Sequence, residues 1–316
     1  MRLKYKIALI GLGSIGKRHL INLDRTLFDR DVDYTIDLIR RDANRDLDVS
    51  YKSIINNIYT ETEEIPDDYD VIFVTNPTNL HYETINKYVG KTRHMFIEKP
   101  IFDRIDINFD ELSLNNDGIY YVACPLRYTE VIQYIRNHID IDKVYSVRVI
   151  SSSYLPEWRP DTDYRKTYSA HLDQGGGVSI DLIHELDYIQ YLFGKPHRVM
   201  NLRGKFSALE IDSDDLSVYI LKHDNLLAEL HLDYFGRNPI REIQLFTENE
   251  TIVADLIKSE IKFLRENKII SFNEDRNAYQ LKELDYFFDV VEGKKENLNN
   301  IFNAYNTLKI AKEGFL

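Results

Sequence analysis

The sequence is poor in cysteine: Cys124 is the single one among 316 residues. One thiol cannot close an intrachain disulfide and offers no cluster of metal ligands, which excludes a disulfide scaffold and predicts no metal site. Long apolar runs are also missing, since none approaches the roughly 20 residues that cross a bilayer. The first apolar stretch follows Arg2, Lys4 and Lys6 but is interrupted by glycines, so it makes a poor secretory signal. A cytoplasmic protein is therefore predicted.

Positive charge is scarce as well. There are 40 Lys and Arg residues against 52 Asp and Glu residues, so the formal net charge is −12, and no basic stripe or tail is present. This balance argues against nucleic acid as a partner. The lack of a long apolar run argues against a membrane. An anionic ligand must instead be held locally, by backbone N–H groups and a few cations. The chain also exceeds the usual size of one core, so two domains are expected.

Three glycines near the start have the spacing of a nucleotide-binding turn. An apolar run at residues 6–10 leads into Gly11, Gly13 and Gly16, and residues 14–27 have a helical pattern. Gly11 permits a tight turn, Gly13 a close approach of the backbone to a pyrophosphate, and Gly16 close packing of helix on strand. The diphosphate then lies at the positive end of the helix. A glycine turn without a ligand is the alternative. The predicted dinucleotide site consists of Gly11, Gly13, Ser14, Ile15 and Gly16.

The two halves of the chain differ in their pattern of apolar residues. Up to about Tyr121, apolar strands alternate with helices, which predicts a doubly wound parallel sheet with strands at residues 6–10, 34–39, 70–74, 94–97 and 119–123. After Pro125, long alternating segments predict a large, mostly antiparallel open sheet of an α+β domain. These segments are residues 143–153, 198–207, 216–222, 226–234, 241–248 and 261–272. The predicted domains are residues 1–122 and 123–316.

Polar loops follow two of the predicted parallel strands. Residues 75–81 come after one strand, and Glu98-Lys99-Pro100 come after the next. Because ligands of open α/β sheets bind outside the carboxyl ends of the strands, both loops are expected to face the nucleotide. A lysine there is able to donate to a hydroxyl or carbonyl oxygen, whereas an ordinary surface lysine is the alternative for Lys99. The predicted cofactor-lining residues are Thr75, Asn76, Pro77, His81, Glu98 and Lys99.

A third cluster follows three consecutive glycines, 175–177, which precede a predicted helix. Asp181, His184 and Asp187 are three residues apart and so are expected to share one face of that helix. A histidine with carboxylates one turn away is suited to acid–base work, and a solvated polar helix face is the alternative. A metal site is disfavoured because no second ligand cluster accompanies the three residues.

Four motifs, in their order along the chain, resemble those of the Gfo/Idh/MocA family of nicotinamide-dependent oxidoreductases: GLGSIG, TNPTNLH, EKP and GGG…D…H. The resemblance covers the chain from Lys6 to about residue 250. The resemblance implies a Rossmann domain joined to an α/β domain whose open sheet often forms an oligomer interface, and hence a homodimer or homotetramer. It places the family's lysine at Lys99 and its acid and histidine at Asp181 and His184. Many members have D-x-G-x-H, whereas here the acid and histidine are only three residues apart.

The segment DLIHELDY, with residues 154–160 and 163–165, looks like a branch found with bacterial surface-polysaccharide and nonulosonic-acid sugar genes. The resemblance implies reversible hydride transfer at a sugar carbon, with His184 taking the hydroxyl proton, Lys99 polarising the oxygen and Asp181 tuning both. The predicted substrate wall suits a sugar that carries a carboxylate or phosphate. Core packing is the alternative for its tryptophan. Its candidate residues are Trp158, Arg159, Arg165 and Tyr168.

Residues after the second predicted strand bear on the choice of nicotinamide. Arg40 lies 24 residues after Gly16, and Arg40 with Arg41 would hold a 2′-phosphate, which favours NADP over NAD. If the strand runs two residues further, Asp42 becomes a ribose ligand and NAD is favoured. Arg127, after Pro125, either contacts the cofactor or braces the domain junction.

Three functions are consistent with these residues. The leading hypothesis is an NAD(P)-dependent sugar dehydrogenase or reductase. A glycoside hydrolase that keeps its NAD bound and a cofactor-bound regulatory protein without turnover are the alternatives. Net turnover of the cofactor separates the first from the second, and the presence of Lys99 and His184 argues against the third.

Overall fold

The computed structural model describes residues 4–42 and 46–313. It divides into two compact units: the chain up to Ala123 together with Gln280–Tyr305, and Cys124–Tyr279 together with the residues from Asn306 on. The predicted boundary after residue 122 lies one residue before the point at which the chain first passes from one unit to the other, between Ala123 and Cys124. That prediction put residues 280–305 into the second domain, whereas the structure groups them with the first unit.

The first unit contains a six-stranded parallel sheet, which confirms the predicted doubly wound architecture. Its strands are β1 Lys4–Ile10, β2 Asp33–Arg40, β3 Ile55–Thr60, β4 Tyr69–Val74, β5 Thr92–Ile97 and β6 Tyr120–Val122, in the order β3-β2-β1-β4-β5-β6. Its helices include α1 Ser14–Asp29, the short α2 Val49–Lys52 and α3 His81–Tyr88. β3 is not among the strands predicted from the sequence, whose pattern around residues 50–58 indicates a short helix or turn.

Both faces of this sheet are covered, so its central strands are apolar throughout. Ile7, Ala8 and Leu9 of β1 are completely buried. The rings of Phe73 and Phe96 stack with centroids 4.9 Å apart. The strand order reverses between β1 and β4, and in such sheets ligands bind outside the carboxyl ends of the strands at that point.

The second unit contains an eight-stranded sheet in the order β14-β13-β12-β11-β7-β10-β9-β8. Within the residues that the structure describes, β7–β10 is the one parallel pair of this sheet, so the predicted, mostly antiparallel sheet is confirmed. Its strands are β7 Val144–Ser152, β8 Arg198–Gly204, β9 Leu216–Lys222, β10 Leu227–Asp233, β11 Ile240–Thr247, β12 Thr251–Asp255, β13 Glu260–Phe263 and β14 Lys268–Ser271. β12 was not predicted, and the segment 261–272 forms two strands rather than one.

Burial alternates along these strands. Ala228, Leu230 and Leu232 of β10 are fully buried, whereas the residues between them are only half-buried. This period of two marks one packed face and one open face. The helices of this unit include α4 Glu130–His138, α5 Val178–Asp181 and α6 Ile183–Phe193.

The helix predicted after the glycine triplet is interrupted. Leu182, between α5 and α6, has φ −97° and ψ 28°, which are not helical angles. The prediction that Asp181, His184 and Asp187 share one face of one helix is therefore wrong, because Asp181 ends α5 whereas His184 and Asp187 lie on α6.

Two helices end the described chain, α7 Ala278–Val291 and α8 Ile301–Glu313. The sequence pattern predicts the last helix over about residues 299–314, and its final residue, Gly314, lies outside the described residues. Within the described part of the chain, no helix is long and apolar enough to cross a membrane.

Candidate cofactor and substrate sites

The register of the parallel sheet aligns the residues that follow its strands. Ile39, Ile10, Val74 and Ile97 are paired across β2, β1, β4 and β5. The next residue of each strand therefore lies in one row at the carboxyl edge of the sheet, on both sides of the point where the strand order reverses. That row consists of Arg40, Gly11, Thr75 and Glu98, all of them predicted from the sequence to line the cofactor.

The structure gives a different account of glycine at each of the three positions of the turn. Gly11 has φ +88°, a region that other residues rarely adopt. A Cβ on Gly16 would lie 2.5 Å from the carbonyl oxygen of Gly11 and 2.8 Å from Thr75 Oγ1, so helix and strand packing requires glycine there. A Cβ on Gly13 would meet no protein atom within 4 Å. The protein itself therefore does not require glycine at position 13.

Gly13 is also the N-cap of α1. The first N–H groups of a helix have no partner within the helix, and the first turn of α1 contains no acidic residue that would compete with a phosphate. Ser14, Ile15 and Gly16 contribute these N–H groups. The predicted nucleotide site thus has the local geometry that an anion requires.

The loop after β4 is tied to the glycine turn. The hydroxyl of Thr75 donates to the carbonyl oxygens of Ile10 and Gly11, at 3.0 and 2.9 Å. The side-chain amide of Asn76 donates to Thr84 Oγ1 at 2.7 Å, while its buried Oδ1 has no hydrogen-bond partner among the described residues. A buried acceptor without a partner, beside the glycine turn, is a polar group available to a ligand.

His81 joins this loop to the loop after β5. Its ring is completely buried, with Nε2 3.0 Å from the carbonyl oxygen of Asn76 and Nδ1 3.1 Å from that of Pro100. Burial lowers the pKa of His81. The structure thus places His81 as a brace between two predicted cofactor loops, and a direct contact of its ring with a cofactor stays a prediction.

Glu98 is held in place on both carboxylate oxygens. Oε1 lies 2.5 Å from His19 Nε2, and Oε2 accepts the backbone N–H of Lys99 at 3.1 Å. Burial would raise the pKa of Glu98, but the hydrogen bond from His19 and the positive charge of Lys99 outweigh it and hold that pKa below its ordinary value. The Lys99–Pro100 peptide bond is cis, and the Lys99 residue is half-buried. His19 was not predicted as a site residue; its place on the buried side of α1 was the available signal.

The end of β2 lies one residue beyond the prediction. The strand includes Arg40, which is half-buried, while Arg41 and Asp42 follow it and are exposed. The strand does not extend the two residues that would have favoured Asp42 as the ribose ligand. Arg40 occupies the position next to Gly11 in the row.

In the second unit, Asp181 is buried and accepts hydrogen bonds from two tyrosines. Tyr234 donates to Oδ2 at 2.6 Å, and Tyr168 donates to Oδ1. Burial, with the charge of Asp181, raises the pKa of both tyrosines, and the charge of Arg159 acts against this at Tyr168. Tyr234 was not predicted from the sequence, because nothing local links the end of a strand to a residue 53 positions earlier.

The glycine triplet makes this cluster possible. A Cβ on Gly176 would lie 2.0 Å from the carbonyl oxygen of Tyr168, so only glycine lets the loop that carries this tyrosine approach α5. Gly177 has φ +120°, and a Cβ there would collide with the carboxylate of Asp214. Asp214 in turn accepts the N–H of Ser179 at 2.9 Å. Gly176 and Gly177 thus serve close packing around Asp181.

The predicted substrate residues differ in their surroundings. Trp158 is 37% exposed, its Nε1–H donates to Ser153 Oγ, and its ring meets that of Tyr234 edge-on at 5.2 Å. Arg159 is exposed. Arg165 is paired with Asp163 and Glu210, so its charge is already neutralised. The structure brings Trp158, Tyr168 and Arg159 to one cluster around Asp181 and Tyr234, and substrate contact stays a prediction for all four predicted residues.

Arg127 is part of a buried ion pair in the second unit. Its Nε and a terminal nitrogen donate to the two carboxylate oxygens of Asp187 at 2.7 and 2.6 Å, and its guanidinium lies over the ring of Tyr191. Arg127 is 6% exposed and Asp187 8%. This two-point pairing lies within the second unit, so both roles that the sequence left open for Arg127, contact with the cofactor and bracing of the domain junction, stay predictions.

Replacing Arg127 by methionine is expected to lower the free energy of unfolding by about 3–5 kcal/mol, because it leaves the Asp187 carboxylate buried without its partner. The double variant Arg127→Met, Asp187→Leu is the matched control, and it is expected to recover much of the loss. Denaturant unfolding measures both. If the single variant keeps its stability but loses affinity for NADH, Arg127 binds the cofactor instead.

A second buried pair fixes the start of α6. Glu185 is completely buried, and its Oε1 accepts the Nε–H of Arg241 on β11 at 2.7 Å. Its other oxygen and the hydroxyl of buried Tyr188 have no hydrogen-bond partner within the described residues. His184, the preceding residue, is half-buried. The pair therefore anchors the helical turn that carries the predicted catalytic histidine.

No group of three or more His, Cys, Asp and Glu side chains in residues 4–42 and 46–313 is arranged to hold a metal ion. Two family models match the chain. One, described as an oxidoreductase family with an NAD-binding Rossmann fold, matches residues 5–110, and the other, the C-terminal domain of the same Gfo/Idh/MocA group, matches residues 132–253. The chain belongs to the Gfo/Idh/MocA family of oxidoreductases. The resemblance stated from the motifs is confirmed at this level.

Other members of the family are similar to this chain over most of its length. Myo-inositol 2-dehydrogenase of Thermotoga maritima is 26% identical over 198 residues, which cover 60% of this chain and 55% of that protein. The chain spans 55 to 64% of the length of the first three curated relatives it matches.

Two solved structures share the fold. Levoglucosan dehydrogenase in complex with NADH has a TM-score of 0.80 at 16% identity, covering 98% of this chain and 95% of that one. The WlbA dehydrogenase from Bordetella pertussis in complex with NADH and UDP-GlcNAcA has a TM-score of 0.75 at 17% identity, covering 97% and 94%. At these identities the likeness concerns the fold alone.

Proposed function

We propose that this protein transfers a hydride between a nicotinamide cofactor and a carbon of a sugar or sugar derivative, as an NAD(P)-dependent dehydrogenase or reductase. The observation that carries the proposal is the row of Arg40, Gly11, Thr75 and Glu98 at the carboxyl edge of the parallel sheet. Membership of an oxidoreductase family with an NAD-binding Rossmann fold supports the same cofactor class.

The residues of the first unit fit a dinucleotide. Open space lies where a Cβ of Gly13 would project, the first turn of α1 lacks acidic residues, and the Asn76 Oδ1 acceptor is buried without a partner in the described chain. The N–H groups of Ser14 and Ile15 would hold the pyrophosphate. A bound nicotinamide supplies the hydride acceptor or donor, and the protein supplies orientation and charge.

The proton chemistry is assigned to residues of this chain. We propose that His184 takes the proton of the substrate hydroxyl, or returns it in the reverse direction. Lys99 would donate to the reacting oxygen and polarise it. Asp181 would act indirectly, because its two carboxylate oxygens accept from Tyr168 and Tyr234 and so orient these phenols.

We propose that the substrate belongs to the acidic or nucleotide-linked sugars of bacterial surface polysaccharides. The segment DLIHELDY supports this branch, and so do the exposed Arg159 and the partly exposed rings of Trp158 and Tyr168. A guanidinium beside aromatic rings suits a carboxylate or phosphate on a sugar. A cytoplasmic location agrees with such a substrate and is part of the proposal.

The proposed cofactor preference is NADP over NAD. Charge-assisted hydrogen bonds are worth about 1.5–3 kcal/mol each, so replacing both Arg40 and Arg41 by alanine is expected to lower affinity for NADPH by about tenfold or more. Affinity for NADH is expected to stay within about threefold. Fluorescence titration with both cofactors checks this. Equal binding of NADPH and NADH by the unaltered protein would contradict the preference.

The function is tested by titrating the purified protein with NADPH and NADH and then following cofactor absorbance with candidate sugars. UDP-GlcNAcA, levoglucosan and myo-inositol form the first panel, each with the oxidised cofactor. Net reduction by one sugar class supports a dehydrogenase. Binding of cofactor without net turnover, but with cleavage of a glycoside, would favour the hydrolase alternative, and binding without any reaction would favour the regulatory one.

We also propose a homodimer or homotetramer that uses the open face of the second sheet. Met200, Leu202 and Leu227 are exposed on β8 and β10, and Val218 and Ile220 of β9 are half-buried. An exposed apolar area of this kind is typical of an interaction surface. Light scattering of the purified protein tests it, and a monomer across the accessible concentrations would contradict it.

A further inference from the structure

The Glu98 carboxylate links two parts of the first unit that the sequence keeps apart. On one side it meets His19 Nε2 at 2.5 Å, and on the other it accepts the backbone N–H of Lys99 at 3.1 Å. The side chains of Glu98 and His19 are 12% and 5% exposed, so water contributes little to either group. The backbone N–H of Glu98 itself donates to the carbonyl oxygen of Val74 at 2.9 Å.

The hydrogen bond from His19 distinguishes this contact from ordinary packing. The imidazole lies against the rings of Phe96 and Phe73, at 5.1 and 6.1 Å, and its Nδ1 is buried without a hydrogen-bond partner in the described residues. Among the described residues, the Glu98 carboxylate is therefore the one hydrogen-bond partner of the imidazole. An apolar residue would fill the same space without burying an unpaired nitrogen, so packing alone does not account for a histidine.

The position of His19 in the chain shows which two elements its contact with Glu98 connects. His19 lies on α1, the helix whose first turn forms the glycine site, and Lys99 follows β5 in the row at the sheet edge. The chain His19–Glu98–Lys99 thus joins the nucleotide-binding helix to the backbone of the residue that is proposed to polarise the substrate oxygen. The cis peptide bond after Lys99 lies in the same segment.

We propose that His19 is a positioning residue for Lys99. It holds the Glu98 carboxylate in one orientation, and that carboxylate fixes the Lys99 backbone and so the direction in which the ammonium group leaves the sheet edge. This inference rests on the proposed function for its catalytic consequence, but the positioning itself is a property of the first unit. Misplacement of a catalytic group by about 1 Å is enough to lower a rate by about a hundredfold.

Two substitutions of His19 separate the hydrogen bond from packing. In His19→Gln the amide nitrogen replaces Nε2 as the donor to Glu98, whereas His19→Leu fills the space without a donor. Glu98→Gln is the third variant: it keeps the shape but presents an NH₂ group to one of the two donors. Circular dichroism and thermal unfolding establish first that each variant is folded.

The readout does not depend on turnover. Purified proteins are treated with a limiting amount of an acetylating N-hydroxysuccinimide ester, and acetylation of Lys99 is compared by peptide mass spectrometry with that of the exposed Lys143 in the same sample. We expect the ratio to change several-fold in His19→Leu and Glu98→Gln and to stay near the wild-type value in His19→Gln. An unchanged ratio in both His19→Leu and Glu98→Gln overturns the proposal, as does a His19→Gln variant that behaves like His19→Leu.

If the wild type oxidises a sugar of the panel, kcat gives a second readout. His19→Leu is then expected to lower kcat by about tenfold or more, with the NADH dissociation constant within about threefold of wild type and with His19→Gln close to wild type. Equal losses in the two His19 variants would overturn the proposal. If no sugar reacts, the proposed function fails on its own, and the acetylation ratios still decide the role of His19.

Discussion

Replacing Gly13 by valine is expected to lower affinity for the nicotinamide dinucleotide by at least about a hundredfold while the protein stays folded. The lost hydrogen bonds from N–H groups to the pyrophosphate are worth roughly 1.5–3 kcal/mol each, and two of them account for that factor. The protein tolerates the side chain because Gly13 has φ −72° and ψ −169°, an extended conformation open to any residue, and because no protein atom lies near the new Cβ. Fluorescence titration with NADH and NADPH measures the affinity, and thermal unfolding measures the fold.

Gly16→Val is the matched control for this prediction. There the Cβ would lie 2.5 Å from the carbonyl oxygen of Gly11, so the protein itself resists the change and a lower unfolding temperature is expected. The two neighbouring glycines thus separate a ligand requirement from a packing requirement. Retained dinucleotide affinity in Gly13→Val would show that the pyrophosphate is not held at this turn.

The second large effect is expected at the proposed catalytic residues. Lys99→Ala and His184→Ala are each expected to lower turnover of the responsive sugar by on the order of a hundredfold or more, with cofactor affinity nearly unchanged. The physical reason lies in the proposed mechanism, in which the ammonium group and the imidazole act on the reacting oxygen and its proton, whereas the N–H groups of the glycine turn hold the cofactor. Steady-state kinetics and cofactor titration measure the two quantities separately.

Two substitutions on the surface serve as controls for these variants. Lys143 is exposed and pairs with its neighbour Asp140, and His197 is exposed and pairs with Asp224. Lys143→Ala and His197→Ala are therefore expected to keep wild-type turnover. Wild-type rates in both Lys99→Ala and His184→Ala would move the chemistry to other residues.

The predicted cofactor-lining residues of the first unit could be identified from the sequence because the pattern that carries them is local. A strand, a glycine turn and a helix start within a few residues of one another, and the ends of parallel strands lie at one edge of a sheet wherever the helices run. Thr75 and Glu98 were predicted on that ground alone. The partners of Glu98 were not, because contact between His19 and Glu98 joins residues 79 positions apart.

The surroundings of the predicted catalytic and substrate residues in the second unit were harder to predict, and Leu182 shows why. The period of 3.6 residues continues through Leu182, so the sequence predicts one helix there. The structure interrupts it at that residue, Asp181 is held by Tyr168 and Tyr234, and Asp187 pairs with Arg127. Asp181 and Asp187, which spacing places on one face, thus have separate partners, and only tertiary contacts decide this.

The residues that belong to the first unit are also decided by tertiary contacts, which the spacing of residues along the sequence does not predict. Arg30, at the end of α1, pairs with Asp285, Asp289 and Glu292 of the segment that returns to this unit. The ring of Phe287 lies 5.3 Å from that of Phe96. A single domain boundary placed from the sequence pattern could not assign this later segment of the chain to the first unit.

The central claim, hydride transfer between a sugar carbon and a nicotinamide, is tested most directly by following a deuterium atom. The purified protein is incubated with oxidised cofactor and with UDP-GlcNAcA, levoglucosan or myo-inositol deuterated at the carbinol carbons, and the cofactor is analysed by mass spectrometry. The account predicts that one sugar class yields reduced cofactor carrying one deuterium, and that Lys99→Ala and His184→Ala suppress the label. Tight binding of the cofactor with no deuterium transferred from any of these sugars would contradict it.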